Sequence, residues 1–255
     1  MSKIKKSIYF LISMILLFAI GYSAYQLEMS NREYVKERRV REEVMEYKPA
    51  LLTSDKSTNA DAPSEEKIVN QSIIDLQEKN ADVIGWITIP GTQIDYPFLW
   101  SDDYDTYLRT DINGQASTAG SIFMDYRCDK TFKEAHSILY GHNMNNDSMF
   151  GSLPYFRDRT FFLEHQDGYI YLPNENLELQ AIACMVVRSS DVEVYGVAET
   201  DKQKEQFIEV LKTRSIHGSE SIPKDLSIDD RFVLLSTCSY EHDEARTVVV
   251  YRIVD

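Results

Sequence analysis

RFVLLSTCSYEHDEARTVVVYRIV, residues Arg231 to Val254, holds two runs of apolar and β-branched residues separated by the polar segment SYEHDEA. Each run is short and made of residue types that suit a pleated surface, so the pair reads as two strands, RFVLLSTC (231–238) and RTVVVYRIV (246–254). Paired as an antiparallel hairpin, they set Cys238 at the end of one strand opposite Arg246 at the start of the next. A thiol attacks as its thiolate, which a nearby cation favours, and a guanidinium can also support a carbonyl oxygen as it turns negative. The competing reading is packing: a lone cysteine in an apolar run is most often a small core residue, and an arginine in a strand is usually solvated. The acidic Glu241, Asp243 and Glu244 do not favour a thiolate.

The same strand signature recurs outward along the chain. VIGWITIPG (83–91), IDYPFLW (94–100), SIFMD (121–125), HSILYG (136–141), DGYIYLP (167–173) and LELQAIACMVV (177–187) are all short and bounded by turn residues. Many short strands of this kind favour a barrel or sandwich over repeated βαβ units, and Pro97 places the second near an edge or a strand end. Two helices interrupt the pattern. Ile68, Ser72, Ile73 and Leu76 recur at helical spacing over 65–79, where Ser64 can cap the first turn; Thr200 and Gln203 form a capping box ahead of Phe207, Leu211 and Arg214, on a helix expected to cover one end of the barrel.

Composition limits the rest. A chain of 255 residues, 43% hydrophobic and 27% charged, can build one well-buried domain with an appendage. Ser7 to Leu27 carry no charge and would make a helix about 31 Å long, the thickness of a bilayer's apolar core. Lys3, Lys5 and Lys6 precede this run and Glu28 follows it. It reads as an uncleaved signal anchor with its N-terminus in the cytoplasm, in preference to a cleaved signal peptide. The mixed charges of 28–48 suggest a stalk and Pro49 to Glu65 a flexible joint, giving an anchor at 1–27, a juxtamembrane stalk and linker at 28–63 and an extracellular domain at 64–255. The formal charge is −14, and the three N-terminal lysines offset a more acidic remainder, which would repel nucleic acid. Three cysteines, Cys128, Cys184 and Cys238, are too few for a disulfide scaffold and lack zinc-knuckle spacing. A bridge between Cys128 and Cys184 has no positive signal, and the acidic residues form no EF-hand pattern.

Of five histidines, His142 in LYGHNMNND follows a strand and a glycine at a loop entrance, where the sheet can hold the ring while one nitrogen stays open. His136 and His165 read as ordinary surface residues. Sequence spacing alone does not bring His142 to Cys238.

Four separated stretches, DVIGWITIPGTQIDYP, GSIFMDYR, SILYGHNMNNDSMFGSL and LLSTCSYEHDEARTVVVYRIV, resemble the sortases, and among sortases class B most. The resemblance spans about residues 65 to 255. It implies a mainly β fold, a sortase-like closed barrel of about eight strands with an N-terminal helix and a helix inserted before the cysteine-bearing strand. It implies a membrane-anchored cysteine transpeptidase of Gram-positive cells that cleaves a C-terminal sorting signal of secreted proteins after threonine and joins it, through a thioester, to an amine of peptidoglycan. Carried over by residue, His142, Cys238 and Arg246 are catalytic, Tyr140 and Ser236 line the substrate cleft, Asn143 and Met144 are structural, and no cofactor or metal is required. The sorting signal is NPxTN-like or of a kind ending in T-G. Two other readings stand beside it, an endopeptidase whose acyl-enzyme is released by water and a non-enzymatic scaffold on the same barrel.

Overall fold

The computed structural model describes residues 3–50, 68–239 and 244–254. They form two units, one up to Glu43 and one from Val44 onward. The first is nearly all of helix α1 (Lys3–Val44). Its apolar half is long and apolar enough to cross a membrane once, and the charged half continues the same helix, with Arg32 and Glu28 paired one turn apart at 2.9 Å. Most of the expected joint at Pro49–Glu65 lies outside the described residues, as does Ser64.

The second unit is a closed barrel. Its strands are β1 (Val83–Thr88), β2 (Asp95–Trp100), β3 (Ile122–Met124), β4 (His136–Tyr140), β5 (Asp167–Leu172), β6 (Glu175–Arg188), β7 (Phe232–Cys238) and β8 (Ala245–Val254). Each falls on a run expected to be a strand. They close in the order β1-β2-β3-β4-β7-β8-β6-β5, with β5 returning to β1. Closure leaves no unpaired edge. Pro97 sits where β2 is paired with β1 only, because the parallel contact with β3 begins at Phe98. Neighbouring strands are antiparallel except β2 with β3 and β4 with β7. The chain between β4 and β7 supplies the β5–β6 hairpin, α3 (Arg159–Glu164), α4 (Val192–Tyr195) and α5 (Asp201–Arg214).

Helix α2 (Gln71–Lys79) begins later than the sequence suggests. Asn70 is pinned to the β5–β6 turn: its backbone N–H donates to the Pro173 carbonyl at 2.9 Å, and its side-chain amide donates to the Leu172 carbonyl and to Asn176. These bonds stop the helix from extending backward, so Ile68 is exposed while Ile73 and Leu76 are buried.

α5 carries the expected capping box at Thr200 and Gln203. Phe207, Ile208, Val210 and Leu211 are buried, and Phe207 packs on the first residues of β4 and β7, 4.8 Å from the His136 ring and 5.6 Å from Phe232. Phe207 of α5 covers Phe232 and Tyr195 covers Ser236, and β7 is buried almost throughout, in keeping with its unbroken apolar run.

His136 is therefore not a surface residue: it is 2% exposed, stacked on Phe207. His165 is half-buried, stacked on Phe161. Burial lowers the His136 pKa from 6.5 to about 4. The unfolded chain takes up a proton near pH 6.5 that the folded chain refuses until about pH 4, so this contribution to stability is whole above pH 6.5 and is lost as pH falls toward 4. The shift corresponds to about 3 kcal/mol. In urea unfolding, the wild type should lose that stability across this window relative to H136F, whose ring keeps the stack but does not titrate; parallel stability curves would refute the assignment.

Candidate active site

β4 and β7 run parallel with Tyr140 opposite Ser236. Parallel strands leave a barrel at the same end, and side chains two residues apart share a face. His142 lies two residues past Tyr140, and Cys238 two residues past Ser236. The long sequence separation between the imidazole and the thiol is thus cancelled by one register pair. On the other flank β7 and β8 are antiparallel with Cys238 directly opposite Arg246, as the hairpin reading expected.

One backbone and two side-chain hydrogen bonds continue the β4–β7 contact beyond the last register pair. The Gly141 N–H donates to the Ser236 carbonyl at 3.3 Å, Thr237 Oγ1 donates to the Gly141 carbonyl at 2.7 Å, and Asn143 Nδ2 donates to the Cys238 carbonyl at 2.9 Å. Gly141 is required by packing: a Cβ there would lie 2.8 Å from the buried Phe150 ring. Asn143 thereby ties the histidine-bearing loop to the cysteine's own backbone.

His142, Cys238 and Arg246, together with Tyr140 and Ser236, line one groove of about 480 Å³. All three of the former are half-buried. His142 Nε2 lies 2.7 Å from the Leu108 carbonyl. A carbonyl only accepts, so Nε2 carries the proton, leaving Nδ1 without a partner among the described residues. Arg246 Nη1 donates to the Ala245 carbonyl at 3.1 Å, and no carboxylate among the described residues pairs with it. Glu244 accepts from the Ser189 hydroxyl at 3.2 Å; Glu241, His242 and Asp243 lie outside the described residues.

A second guanidinium, Arg127, also lines the groove and is engaged through Nε and Nη2. It grips Asp125 through Nε at 2.9 Å and Nη2 at 2.7 Å, and Nη2 also donates to the Tyr195 carbonyl at 3.0 Å. Asp125 is completely buried and accepts as well from the hydroxyls of Tyr104 and Tyr140, at 3.1 and 3.0 Å. Burial pushes its carboxyl up, but the Arg127 and Tyr140 bonds outweigh this and hold it below the usual carboxylate range. Burial, then the Asp125 charge, pushes Tyr104 up to about 12. Tyr195, raised to about 12 by burial, shares a hydrogen bond of 2.8 Å with Ser236.

Leu108, Asp125, Arg127 and Tyr195 escaped the sequence reading as site residues. Leu108 acts through its backbone carbonyl, which carries no side-chain signature. Asp125 and Arg127 fall inside the quoted stretch GSIFMDYR, where a short acidic–basic spacing could have marked a local ion pair. Among the described residues no cluster of three or more His, Cys, Asp or Glu side chains is set as metal ligands. Chemically, a half-buried thiol on the strand position opposite a guanidinium that pairs with no described carboxylate, with an imidazole in the same groove, is equipped for nucleophilic acyl transfer.

No family model matches the chain. Sortase B of Listeria monocytogenes serovar 1/2a is 35% identical over 191 residues, covering 73% of this chain and 75% of that protein. Sortase B of Staphylococcus aureus is 27% identical over 244 residues, 94% of this chain and 93% of that one. The crystal structure of sortase B from B. anthracis in complex with AAEK1 superposes with a TM-score of 0.73 and 30% identity, covering 88% of this chain and 99% of that structure.

All three cysteines are free, and they differ in access. Cys128 and Cys184 are buried, and burial pushes both thiols up to about 12. Iodoacetamide at neutral pH should therefore label Cys238 alone in the folded protein and all three cysteines in denaturant, as counted by peptide mass spectrometry. Labelling of Cys128 or Cys184 at a comparable rate under native conditions would contradict this burial.

Proposed function

This chain belongs to the sortase B family and is a cysteine transpeptidase, and from that premise we propose that Cys238, His142 and Arg246 carry its acyl transfer. The single observation behind the assignment is the shared register of β4, β7 and β8, which sets the three residues around one groove. Tyr140 and Ser236, on the same strand faces two residues before His142 and Cys238, are proposed to contact the bound peptide.

The Cys238 thiolate attacks the carbonyl carbon of the threonine in a sorting signal. A C–S bond forms, the carbonyl electron pair moves to oxygen, and Arg246 donates to that oxyanion. Collapse breaks the C–N bond, and the leaving amine takes a proton from protonated His142. Nδ1 is the atom assigned to this transfer, because Nε2 is occupied by the Leu108 carbonyl. The resulting thioester keeps the acyl group activated. A peptidoglycan amine then loses a proton to His142, attacks the thioester carbon and expels the Cys238 thiolate, leaving a new amide. The first stage uses up the thiolate and the His142 proton and the second restores both, so the full cycle exchanges one amide for another and consumes no further energy source.

The signal is assigned to the NPxTN-like or T-G-ending class, borne at the C-terminus of secreted proteins. For the full chain the proposal places the membrane anchor at 1–27, the stalk and linker at 28–63 and the catalytic domain at 64–255. The N-terminal lysines are assigned to the cytoplasmic side and the catalytic domain to the outer face.

Incubating the protein with a panel of such peptides and candidate wall amines should yield a thioester on Cys238 and a ligated product by mass spectrometry. C238A should give neither while remaining folded. R246K should bind peptide normally and lose about a hundredfold in kcat, since an ammonium cannot reproduce the guanidinium's fork of donors. Hydrolysed peptide without ligation would turn the reading to an endopeptidase, and unchanged R246K turnover would remove Arg246 from it. Protease added to intact cells should release the catalytic domain and leave a membrane-bound N-terminal fragment; full protection reverses the orientation.

A further inference from the structure

One wall of the groove is the segment Asp191–Gly196, which contains α4 and is helical rather than paired to a strand. Side chains fix its position. On the outer side Arg214 of α5 pairs with Asp191 at 2.6 Å and with Glu193. On the barrel side Arg127 donates to the Tyr195 carbonyl, the Tyr195 hydroxyl bonds Ser236, and the Tyr195 ring stacks on Tyr140 at 6.4 Å.

We infer that Asp125 and Arg127 are positioning residues that hold this wall in its peptide-receiving place, an inference that rests on the groove being the sorting-signal site. Asp125 itself does not line the groove. It acts in two directions from one buried carboxylate. Through Arg127 it reaches the Tyr195 carbonyl and hence the hydroxyl that bonds Ser236, two residues before Cys238. Through the Tyr140 hydroxyl it fixes the residue two before His142. Both sides of the groove are thus referred to one charge.

A carboxylate and guanidinium serving only barrel stability would complete their pairing between themselves. Here the bidentate pair leaves Arg127 free to reach 68 residues along the chain to a backbone carbonyl of the wall. Beyond the guanidinium and the backbone N–H of Arg127, Asp125 accepts from two tyrosines that both line the groove. The fork geometry matters: two N–H groups engage the carboxylate while Nη2 also serves the wall, a set that a lysine ammonium on a flexible stem does not reproduce. A wall placed before the peptide arrives spares binding the loss of freedom that ordering it would otherwise require. The effect of losing it therefore falls on peptide capture more than on the reactivity of the thiol.

The test compares full-length wild type with R127K, R127Q and D125N, using a sorting peptide that the wild type converts. Three quantities are measured: kcat and KM for the peptide, the rate of Cys238 alkylation by iodoacetamide without peptide, and the thermal midpoint. R127K should raise KM about tenfold or more, with kcat at saturation within about threefold and the alkylation rate within about twofold of wild type. R127Q should do the same or more, and D125N combined with R127K should be no worse than the worse single variant, because both act through one unit. Should D125N fail to fold, R127K and R127Q carry the test. A lowered thermal midpoint with unchanged KM means a structural pair only and overturns the inference, as does a fall in kcat with KM unmoved. A wild type that neither binds nor converts any sorting peptide overturns the groove reading and this inference with it. A converting wild type whose R127K variant keeps its KM overturns this inference alone.

Discussion

The parallel contact between β4 and β7 is the constraint on which the rest of the molecule depends. Parallel neighbours cannot be joined by a tight turn, so a long excursion must leave the end of β4 and return to the start of β7. That excursion contains the β5–β6 hairpin, which completes the barrel, and α4, which makes a groove wall. The contact also puts the two strand ends side by side. Because side chains alternate along a strand, a slip of one residue would carry Ser236 and Cys238 to the opposite face from Tyr140 and His142. The register is held from both ends: His136 and Phe232 are locked under Phe207, while Thr237 and Asn143 bond across the strand exits.

The strands were legible because most are buried on both faces or end in turn residues, so composition alone marks them; the chain order of the barrel was not. Nothing in HSILYG announces that it lies beside RFVLLSTC and parallel to it. Local relations could be read, and Cys238 opposite Arg246 is one, since a short polar segment between two strand-like runs allows little else. The relation of His142 to Cys238 depended on nonlocal pairing and entered only through resemblance. The α2 start was missed because Asn70 is held by residues a hundred positions away, on the β5–β6 turn. His136 was misread for a related reason: its burial is created by Phe207, on a helix that packs there only in the finished fold.

The groove holds two guanidiniums of opposite circumstance. Arg127 has a buried carboxylate as its counter-charge and a carbonyl on the wall, so its charge is already spent within the protein. Arg246 has only the carbonyl of its own neighbour among the described residues, so its field remains available to whatever occupies the groove. The difference follows from sequence position. Arg127 lies two residues after Asp125 at the exit of β3 and can turn back onto it, whereas Arg246 lies within β8, where its strand neighbours Ala245 and Thr247 carry no charge. In a chain of net charge −14, a half-buried arginine that escapes every described carboxylate needs such segregation. Asp125, sealed at 0% exposure, has its charge satisfied by Arg127 and two tyrosines, as a buried carboxylate requires. On the proposed reading the two guanidiniums divide the work of one groove: Arg127, paired with Asp125, holds its wall, and Arg246, paired with no described carboxylate, faces the bound peptide.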